Sequence, residues 1–444
     1  MGKVHEKTFS LENKFIFPEK QTIHKIEEDI LVIAEKNANW LVLNKIEYNM
    51  YLQFKAGKNI SEVITYFTKK ITKEDTMLNI QKFLIQIEDK QYYKDVQVNE
   101  RDILRNATLY LTHECNLRCR HCYIEADKKN KNELTVVQWK YFLKEFKENG
   151  GKNIIFSGGE PVLYEGFYEI ATYAKELSLK VILLTNGTIF SKDDFSKIEK
   201  LCDEVQVSID GPNEKIHDYV RGKGTFKRSL KFIKYLGKRN LKLFVAMTPI
   251  PETLYEFYND FEKFYSDLKN ISNNKITVKI TPKLLKGRNV NELNSNEDKK
   301  YKNVINKICD TYIEPNYFDK MDATALKPNW RRPSCGIGKS LGVFWDGSVK
   351  LCFDSDIEVG NICQDSLSQI LDKLKAFYTS YRVEYTEPCK NCDIRYFCGG
   401  DCRISGIKNS GNMGKLICSE EFKQDFYHKL IRINKWLYNP ILKQ

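Results

Sequence analysis

The sequence predicts an α/β protein built on six βα units, with a small α+β module before them and a cysteine-rich region after them. Two observations lead to this prediction. Apolar strand-like runs alternate regularly with helix-length amphipathic segments in the middle of the chain. Eleven of the thirteen cysteines fall in two groups, at residues 115–122 and 335–418, and the first hundred residues contain none. The chain therefore divides into three regions.

The central region, residues 104–310, carries the repeated pattern. Its strand-like runs read ATLYLT, NIIFSG, KVILLT, EVQVSI, LKLFVAM and KITVKI. Strands that alternate with helices pair in parallel, and right-handed crossovers wind them in one direction. We therefore expect a partial (β/α)6 barrel whose reactive groups lie on the loops that follow the strands.

The N-terminal region, residues 1–95, predicts a separate winged-helix-like α+β domain. Short strand-like runs at residues 30–34 and 40–43 precede three amphipathic helical stretches near residues 45–54, 60–68 and 73–87. Strands followed by three short helices suit such a module. The cysteine-rich region spans residues 330–425, and residues 426–444 form a C-terminal helix or tail.

Composition narrows the classes of function. The chain has 444 residues, 42% of them hydrophobic, which excludes a mostly disordered protein. A formal charge of +12 favours acidic partners. No apolar run suits a signal peptide or approaches the roughly twenty residues of a membrane span, so we expect a cytoplasmic protein without a membrane partner. Cysteines in a reducing compartment indicate bound metal rather than disulfides.

The first cysteine group follows the first strand of the barrel. The segment HECNLRCRHCYIEA places Cys115, Cys119 and Cys122 at CxxxCxxC spacing. Three thiolates can hold a 4Fe–4S cluster and leave one iron open to another ligand. The alternative is zinc, with His113 or His121 as the fourth ligand.

This spacing, with an aromatic residue directly after the last cysteine, resembles the radical S-adenosylmethionine (SAM) enzymes. The resemblance implies that the open iron binds SAM and that SAM is cleaved to a 5′-deoxyadenosyl radical. It also implies a set of SAM-binding residues on the loops after the first four barrel strands. These are Tyr123, Gly158, Gly159, Glu160, Asn186, Ser208, Asp210 and Arg221. The alternatives are a tight turn for the Gly-Gly-Glu segment and a solvated charge for Arg221.

The second cysteine group resembles the seven-cysteine SPASM extension of peptide-modifying radical SAM enzymes. The resemblance implies two auxiliary 4Fe–4S clusters, and so three clusters in all. One is held by Cys389, Cys392, Cys398 and Cys418. The other is held by Cys335, Cys352 and Cys402, which leaves one iron without an assigned ligand. Two zinc-ribbon sites are the alternative on spacing alone.

The fourth ligand of that second auxiliary cluster has three candidates. An open iron could bind a substrate thiolate, a soft ligand for a soft site. Cys309 or Cys363 could instead complete the coordination. Cys202 and Cys363 also fit small buried apolar positions, which is the usual role of an isolated cysteine.

The N-terminal module resembles the recognition domain of ribosomal-peptide maturation enzymes. The resemblance implies a precursor peptide as partner, whose leader segment adds as a strand to the sheet edge. Trp40, Val42 and Leu43 are the candidate edge residues, and core packing is the alternative for each. A winged-helix topology also binds DNA, so an iron–sulfur transcription regulator is the non-enzyme hypothesis. The second helix lacks a dense Arg/Asn/Gln face, which argues against nucleic acid.

Together these features predict a radical SAM peptide maturase. It takes a hydrogen from a precursor peptide and closes an intramolecular cross-link, with a Cys thioether as the first choice. Carbon–carbon cross-linking and sulfatase-maturase-like oxidation of Ser or Cys are the alternatives. An external one-electron donor such as flavodoxin or ferredoxin is also expected.

Overall fold

A computed structural model describes residues 9–100, 103–272, 275–281, 283–313, 326–416 and 418–438. The chain divides into two compact units. The first comprises residues 1–102, 323–336 and 378–444, and the second comprises residues 103–322 and 337–377. This division differs from the predicted domains, because each unit contains part of the cysteine-rich region.

The second unit is organised around a nine-stranded sheet. Its strands in chain order are β5 (Asn106–Tyr110), β6 (Asn153–Ser157), β7 (Lys180–Thr185), β8 (Glu204–Ser208), β9 (Lys242–Met247), β10 (Thr277–Ile280), β12 (Leu341–Val343), β13 (Ser348–Lys350) and β14 (Glu358–Asn361). The spatial order is β10-β9-β8-β7-β6-β5-β12-β13-β14. Strands β5 to β10 pair in parallel, as the six-unit pattern predicts.

Helices connect the parallel strands. They are α4 (Val136–Glu148), α5 (Phe167–Glu176), α6 (Lys192–Leu201), α7 (Glu214–Arg221), α8 (Thr225–Leu236), α9 (Leu254–Ile271) and α10 (Ser295–Ile308). Their apolar stripes supply the buried faces, for example Trp139, Phe142 and Phe146 on α4. The fold class is therefore the predicted one, a mixed α/β fold with a parallel sheet and a cysteine-rich C-terminal region.

The sheet also contains an element that the sequence did not predict. Strand β12 pairs in parallel with β5, and β13 and β14 follow it antiparallel. The first part of the cysteine-rich region, including Cys352, thus extends the barrel sheet beyond its first strand. These strands have only three or four residues, too few for a period-two pattern to stand out.

The first unit contains the N-terminal module. It consists of β1 (Thr22–Ile26), β2 (Asp29–Ala34), β3 (Asn39–Leu43), α1 (Lys45–Lys55), α2 (Ile60–Phe67) and α3 (Lys73–Asp89). The three strands form an antiparallel sheet in the order β1-β2-β3. The predicted helices and last two strands are present. Strand β1 was missed because its sequence, TIHKI, is short and carries a charged residue.

The remaining elements of the first unit come from distant parts of the chain. They are the paired strands β4 (Asn99–Glu100) and β11 (Trp330–Arg331), and the helices α12 (Arg395–Cys398), α13 (Arg403–Ser410) and α14 (Glu420–Tyr438). Helix α11 (Leu367–Ser380) precedes them in the chain, and most of its residues belong to the second unit. Among the described helices, none is both long and apolar enough to cross a bilayer.

Candidate functional site

The predicted site residues follow four adjacent parallel strands. The cysteine loop comes after β5, the Gly-Gly-Glu segment after β6, Asn186 after β7, and Asp210 after β8. The carboxyl ends of parallel strands meet at one edge of the sheet. The fold therefore gathers these loops on one side of the second unit.

The cysteine loop brings three thiols close together. Burial raises the pKa of the Cys115 thiol to about 12, and the negative charges of Glu160, Cys119 and Cys122 add to that rise. The loop is closed by backbone bonds from Cys115 N to Asp127 O (2.9 Å) and from Asp127 N to His113 O (3.1 Å). Thiols that resist ionisation in the bare protein become thiolates when iron binds them.

Neither nearby histidine is placed to complete a zinc site. His121 Nε2 lies 2.6 Å from Asp210 Oδ2, and both ring nitrogens of His113 lie 3.2 Å from backbone carbonyl oxygens. Within the described part of the chain, no three His, Cys, Asp or Glu side chains close around a single ion. A 4Fe–4S cube separates its cysteine ligands, because each sulfur binds a different iron. Three thiols that can each bind a different iron suit such a cluster, and both histidines already contact other groups.

A second segment holds the backbone of the cysteine loop. Arg288 donates from its backbone N–H to Cys122 O (3.2 Å), from Nη1 to Cys119 O (3.3 Å) and from Nη2 to Ala126 O. A Cβ on Gly287 would lie 2.5 Å from the carbonyl carbon of His121, so only glycine allows this approach. Sequence reasoning missed these residues, because their partners lie more than 160 positions earlier.

We expect Arg288→Ala to loosen the cysteine loop and to lower iron binding there. Anaerobic reconstitution should yield up to about four fewer irons per chain than the wild type, since one cluster is affected. The matched control is Arg228→Ala, because exposed Arg228 donates to a single carbonyl of its own turn. Equal iron contents in the two variants would show that Arg288 does not support the loop.

The Gly-Gly-Glu segment packs directly on the cysteine loop. A Cβ on Gly159 would lie 2.1 Å from Glu114 O, and Gly158 has a φ of +130°. Glu160 is buried and accepts hydrogen bonds from Thr185 Oγ1 (2.7 Å) and Asn186 N (2.8 Å). Burial raises the pKa of Glu160 to about 7. A buried carboxylate of this kind suits a bound cation such as the ammonium group of SAM.

Asn186 links the loop after β7 to the cysteine loop. Its side-chain amide donates to Asn116 Oδ1 (2.9 Å), and Asn116 in turn donates to Thr188 Oγ1 (2.8 Å). Asn116 lies between Cys115 and Cys119, and the motif's spacing gave no sign of its role. The pair fixes one loop against the other.

Asp210 is the centre of a buried charge cluster. Its carboxylate is fully buried, pairs with Arg221 and His121, and accepts from Thr248 N (2.8 Å). Burial opposes ionisation, but the Arg221 and His121 charges hold the pKa of Asp210 well below its usual range. The Arg221 side chain is 11% exposed, and its charge lowers the pKa of Cys119 against the effect of burial. Asp210 thus positions Arg221 beside the cysteines.

The other two predicted SAM-binding residues lie nearby in the same unit. Ser208 ends β8 opposite Ala246 of β9. The hydroxyl groups of Tyr123 and Tyr110 are 2.9 Å apart, and the Tyr123 ring meets Phe353 edge-on at 6.2 Å. SAM contacts by these residues remain a prediction.

Four thiols of the second cysteine group interact within the first unit. Burial is the main reason that the pKa of each thiol is raised, and repulsion from a neighbouring thiol adds to the rise at Cys392, Cys398 and Cys418. The charges of Cys389 and Cys418 raise the pKa of Cys398, and the charge of Cys418 raises the pKa of Cys392. These are the four residues assigned to the fully ligated auxiliary cluster.

The residues assigned to the other auxiliary cluster are Cys335, Cys352 and Cys402. Cys335 and Cys402 belong to the first unit and Cys352 to the second, so this set remains a prediction. Cys363 is poorly placed to be the fourth ligand of this cluster. Its sulfur lies 3.4 Å from the Cβ position of Gly347, at the turn between β12 and β13. Cys352 follows the other end of β13. Cys363 is also exposed rather than a buried apolar residue, whereas Cys202 is buried as predicted.

The side chains of Trp40, Val42 and Leu43, the predicted peptide-binding residues, are buried, which is what the core-packing alternative expects. The Gln86 side chain accepts from Val42 N (2.8 Å) and donates to Val42 O (3.0 Å), as a neighbouring strand would. Lys90 Nζ donates to Trp40 O (2.8 Å). This edge of β3 is already paired by the side chains of Gln86 in α3 and of Lys90, which directly follows α3.

The N-terminal module also contacts the cysteine-rich part of its own unit. Thr22 Oγ1 donates to Asp393 (2.7 Å), and His24 Nε2 lies 2.6 Å from the same carboxylate. Asp393 directly follows Cys392 in the chain. Removing the whole module would therefore disturb the auxiliary cluster region, and point substitutions are the better test of its role.

The second unit is an α/β fold with three cysteines in the loop after its first parallel strand, and comparison with known proteins finds two matching family models. Residues 109–267 match the family model of the Radical SAM superfamily, and residues 335–393 match that of the SPASM iron–sulfur cluster-binding domain. The chain therefore contains a Radical SAM domain and a SPASM domain. Such domains bind SAM and 4Fe–4S clusters.

Two curated proteins illustrate the relationship. The antilisterial bacteriocin subtilosin biosynthesis protein AlbA of Bacillus subtilis is 25% identical over 414 residues, 87% of this chain and 90% of AlbA. The AdoMet-dependent heme synthase of Oleidesulfovibrio alaskensis is 26% identical over 331 residues, 68% of this chain and 83% of that protein.

A solved structure shares the fold. Streptococcus suis SuiB, bound to precursor peptide SuiA, is 15% identical, with a TM-score of 0.53 over 91% of this chain and 99% of SuiB.

Proposed function

We propose that this protein is a peptide maturase that forms an intramolecular cross-link in a ribosomally made precursor peptide. The observation that carries the proposal is the extent of similarity to AlbA. The match to AlbA covers 87% of this chain, which is a larger part of the chain than residues 109–444. The similarity thus reaches into the N-terminal module, which is shared with a protein of bacteriocin biosynthesis.

The residues of the site have distinct roles in this proposal. Cys115, Cys119 and Cys122 would hold a 4Fe–4S cluster, and that cluster would supply the electron for cleavage of SAM to a 5′-deoxyadenosyl radical. Glu160 faces the SAM ammonium group, and Arg221 pairs with the SAM carboxylate through its guanidinium fork. Asp210 and Arg288 are positioning residues.

The cross-link that we propose first is a Cys thioether. A substrate C–H bond would break and give its hydrogen atom to the deoxyadenosyl radical, and the cysteine thiol would give up a proton. The C–S bond would then form, and the remaining electron would go to an auxiliary cluster. Two such clusters would bring the total to three. Flavodoxin or ferredoxin is the expected donor for the SAM-binding cluster.

The leader segment of the precursor is proposed to bind at β1 rather than β3. Strand β1 pairs with β2 on one side, and no other described strand pairs with it. Ile23 on β1 is 42% exposed. An extended peptide can add to such an edge through its main chain.

The heme synthase relatives support a second candidate, a radical SAM enzyme acting on a porphyrin. Their similarity covers 68% of this chain. A match of that length fits within residues 109–444 and does not require the N-terminal module. This candidate therefore gives the N-terminal module no role, and we place it second.

Anaerobic co-expression with a small Cys-containing peptide encoded beside this protein tests the proposal. We expect the peptide to lose two hydrogen atoms per modified cysteine, with a thiol that can no longer be alkylated or restored by reductant. The same loss with intact thiols would indicate a carbon–carbon cross-link. An unmodified peptide together with turnover of a porphyrin substrate would contradict the proposal.

A further inference from the structure

Arg403, the first residue of α13, is a buried cation that pairs with no carboxylate of the described residues. Its side chain is 0% exposed. Nε donates to Tyr381 O (3.0 Å) and Nη1 to Asp401 O (2.7 Å), and Nη2 has no hydrogen-bond partner among the described residues. A buried charge is strongly unfavourable unless an opposite charge compensates it.

Arg382 of the same unit shows how carboxylates usually compensate the charge of a partly buried arginine. Its guanidinium makes a bidentate pair with Glu100, with both bonds at 2.8 Å, and a third bond of 2.8 Å to Glu384. Two carboxylates thus compensate one cation that is only partly buried. Arg403 is more deeply buried and has two backbone carbonyls instead.

The surroundings of Arg403 show where its compensating charge would lie. A Cβ on Gly400 would be 2.7 Å from Nη1 and 3.0 Å from Nη2, so the guanidinium lies against the backbone that joins Cys398 to Cys402. Burial raises the pKa of the Cys389 thiol, and the Arg403 charge is the largest influence that lowers it. The guanidinium therefore lies beside the segment that carries Cys398, and its charge acts on the Cys389 thiol of the same ligand set.

We propose that Arg403 is the electrostatic partner of the auxiliary cluster held by Cys389, Cys392, Cys398 and Cys418, and that it raises the midpoint potential of that cluster. This inference rests on the proposed auxiliary cluster. Four thiolates give such a cluster a net negative charge, and reduction adds one more. A nearby buried cation stabilises the reduced form more than the oxidised form.

The consequence concerns the electron released when the cross-link closes. A cluster with a higher potential accepts that electron more readily. Arg403 does not touch substrate in this account, and it acts only through the cluster.

The test is a redox titration of the holoenzyme followed by electron paramagnetic resonance, without peptide. The variants are Arg403→Met, Arg403→Gln and Arg403→Lys, with Arg382→Met and Arg382→Lys as matched controls. We expect the midpoint of one auxiliary cluster to become more negative in both neutral Arg403 variants and to shift less in Arg403→Lys. The Arg382 variants should keep the wild-type midpoint.

The other possible outcomes either support or overturn the role of Arg403. Loss of this cluster from only the two neutral variants would support the proposal, because the charge would then be required for assembly. An unchanged midpoint in Arg403→Met, an equal shift in Arg382→Met, or loss of the cluster from Arg403→Lys would overturn it. A wild-type enzyme without auxiliary clusters would refute the proposed cofactor set itself.

Discussion

Replacing Cys115, Cys119 and Cys122 together with Ala is expected to abolish 5′-deoxyadenosine formation. The three thiols lie in one loop that is fixed by Arg288 and packed against the Gly-Gly-Glu segment. Neither nearby histidine is placed to substitute as a ligand. Without the thiolates no cluster can deliver an electron to SAM.

The iron content of the same variant separates loss of one site from loss of the fold. Wild-type protein should hold about twelve irons, and the triple variant about eight, because the auxiliary cysteines are untouched. The control is Cys363→Ala, since that thiol is exposed and lies outside the assigned ligands. Deoxyadenosine formation that survives in the triple variant would refute the assignment of the first site.

Replacing Asp210 with Asn is expected to destabilise the second unit by about 3–5 kcal/mol, because it leaves the buried Arg221 without its compensating charge. Asp210 is 0% exposed and its partners Arg221 and His121 are each 11% exposed. SAM binding should fall as well, since Arg221 would no longer be held beside the cysteines. Thermal unfolding and SAM binding measure the two effects.

Asp203→Asn provides the matched control. Asp203 pairs with Lys175, and the two side chains are 34% and 38% exposed, so its loss should cost about 1 kcal/mol or less. Equal losses of stability in the two variants would contradict the role given to the buried cluster.

The Asp210 cluster also sets a direction for pH dependence. Because the folded-state pKa of Asp210 lies well below its usual range, its contribution is complete above the unfolded-state pKa of about 3.9. It is lost as the pH falls through the lower folded-state value. The Asn variant should lack this loss.

The sequence predicted what local patterns determine. The six barrel strands follow from their apolar runs, and the cluster loop follows from cysteine spacing within eight residues. Helices α1 to α3 follow from amphipathic periodicity, with Asn44 and Asn59 as N-caps of the first two. In each case the residues that form the feature are neighbours in the chain.

What the sequence did not predict depends on partners that are distant in the chain. Arg288 reads as part of a polar connector until the fold brings it to Cys119. Trp40 and Val42 suit an exposed strand edge until Gln86 and Lys90 pair with that edge. Arg403 reads as an ordinary helical charge, and only its complete burial reveals its significance.

The central claim is that a SAM-derived radical takes hydrogen directly from a peptide, and isotope transfer tests it most directly. The enzyme would be incubated anaerobically with SAM, reductant and a precursor peptide whose core residues are deuterated. We predict that 5′-deoxyadenosine gains one deuterium and that this gain accompanies cross-linking of the peptide. Cross-linked peptide together with deoxyadenosine that carries no deuterium would contradict the account.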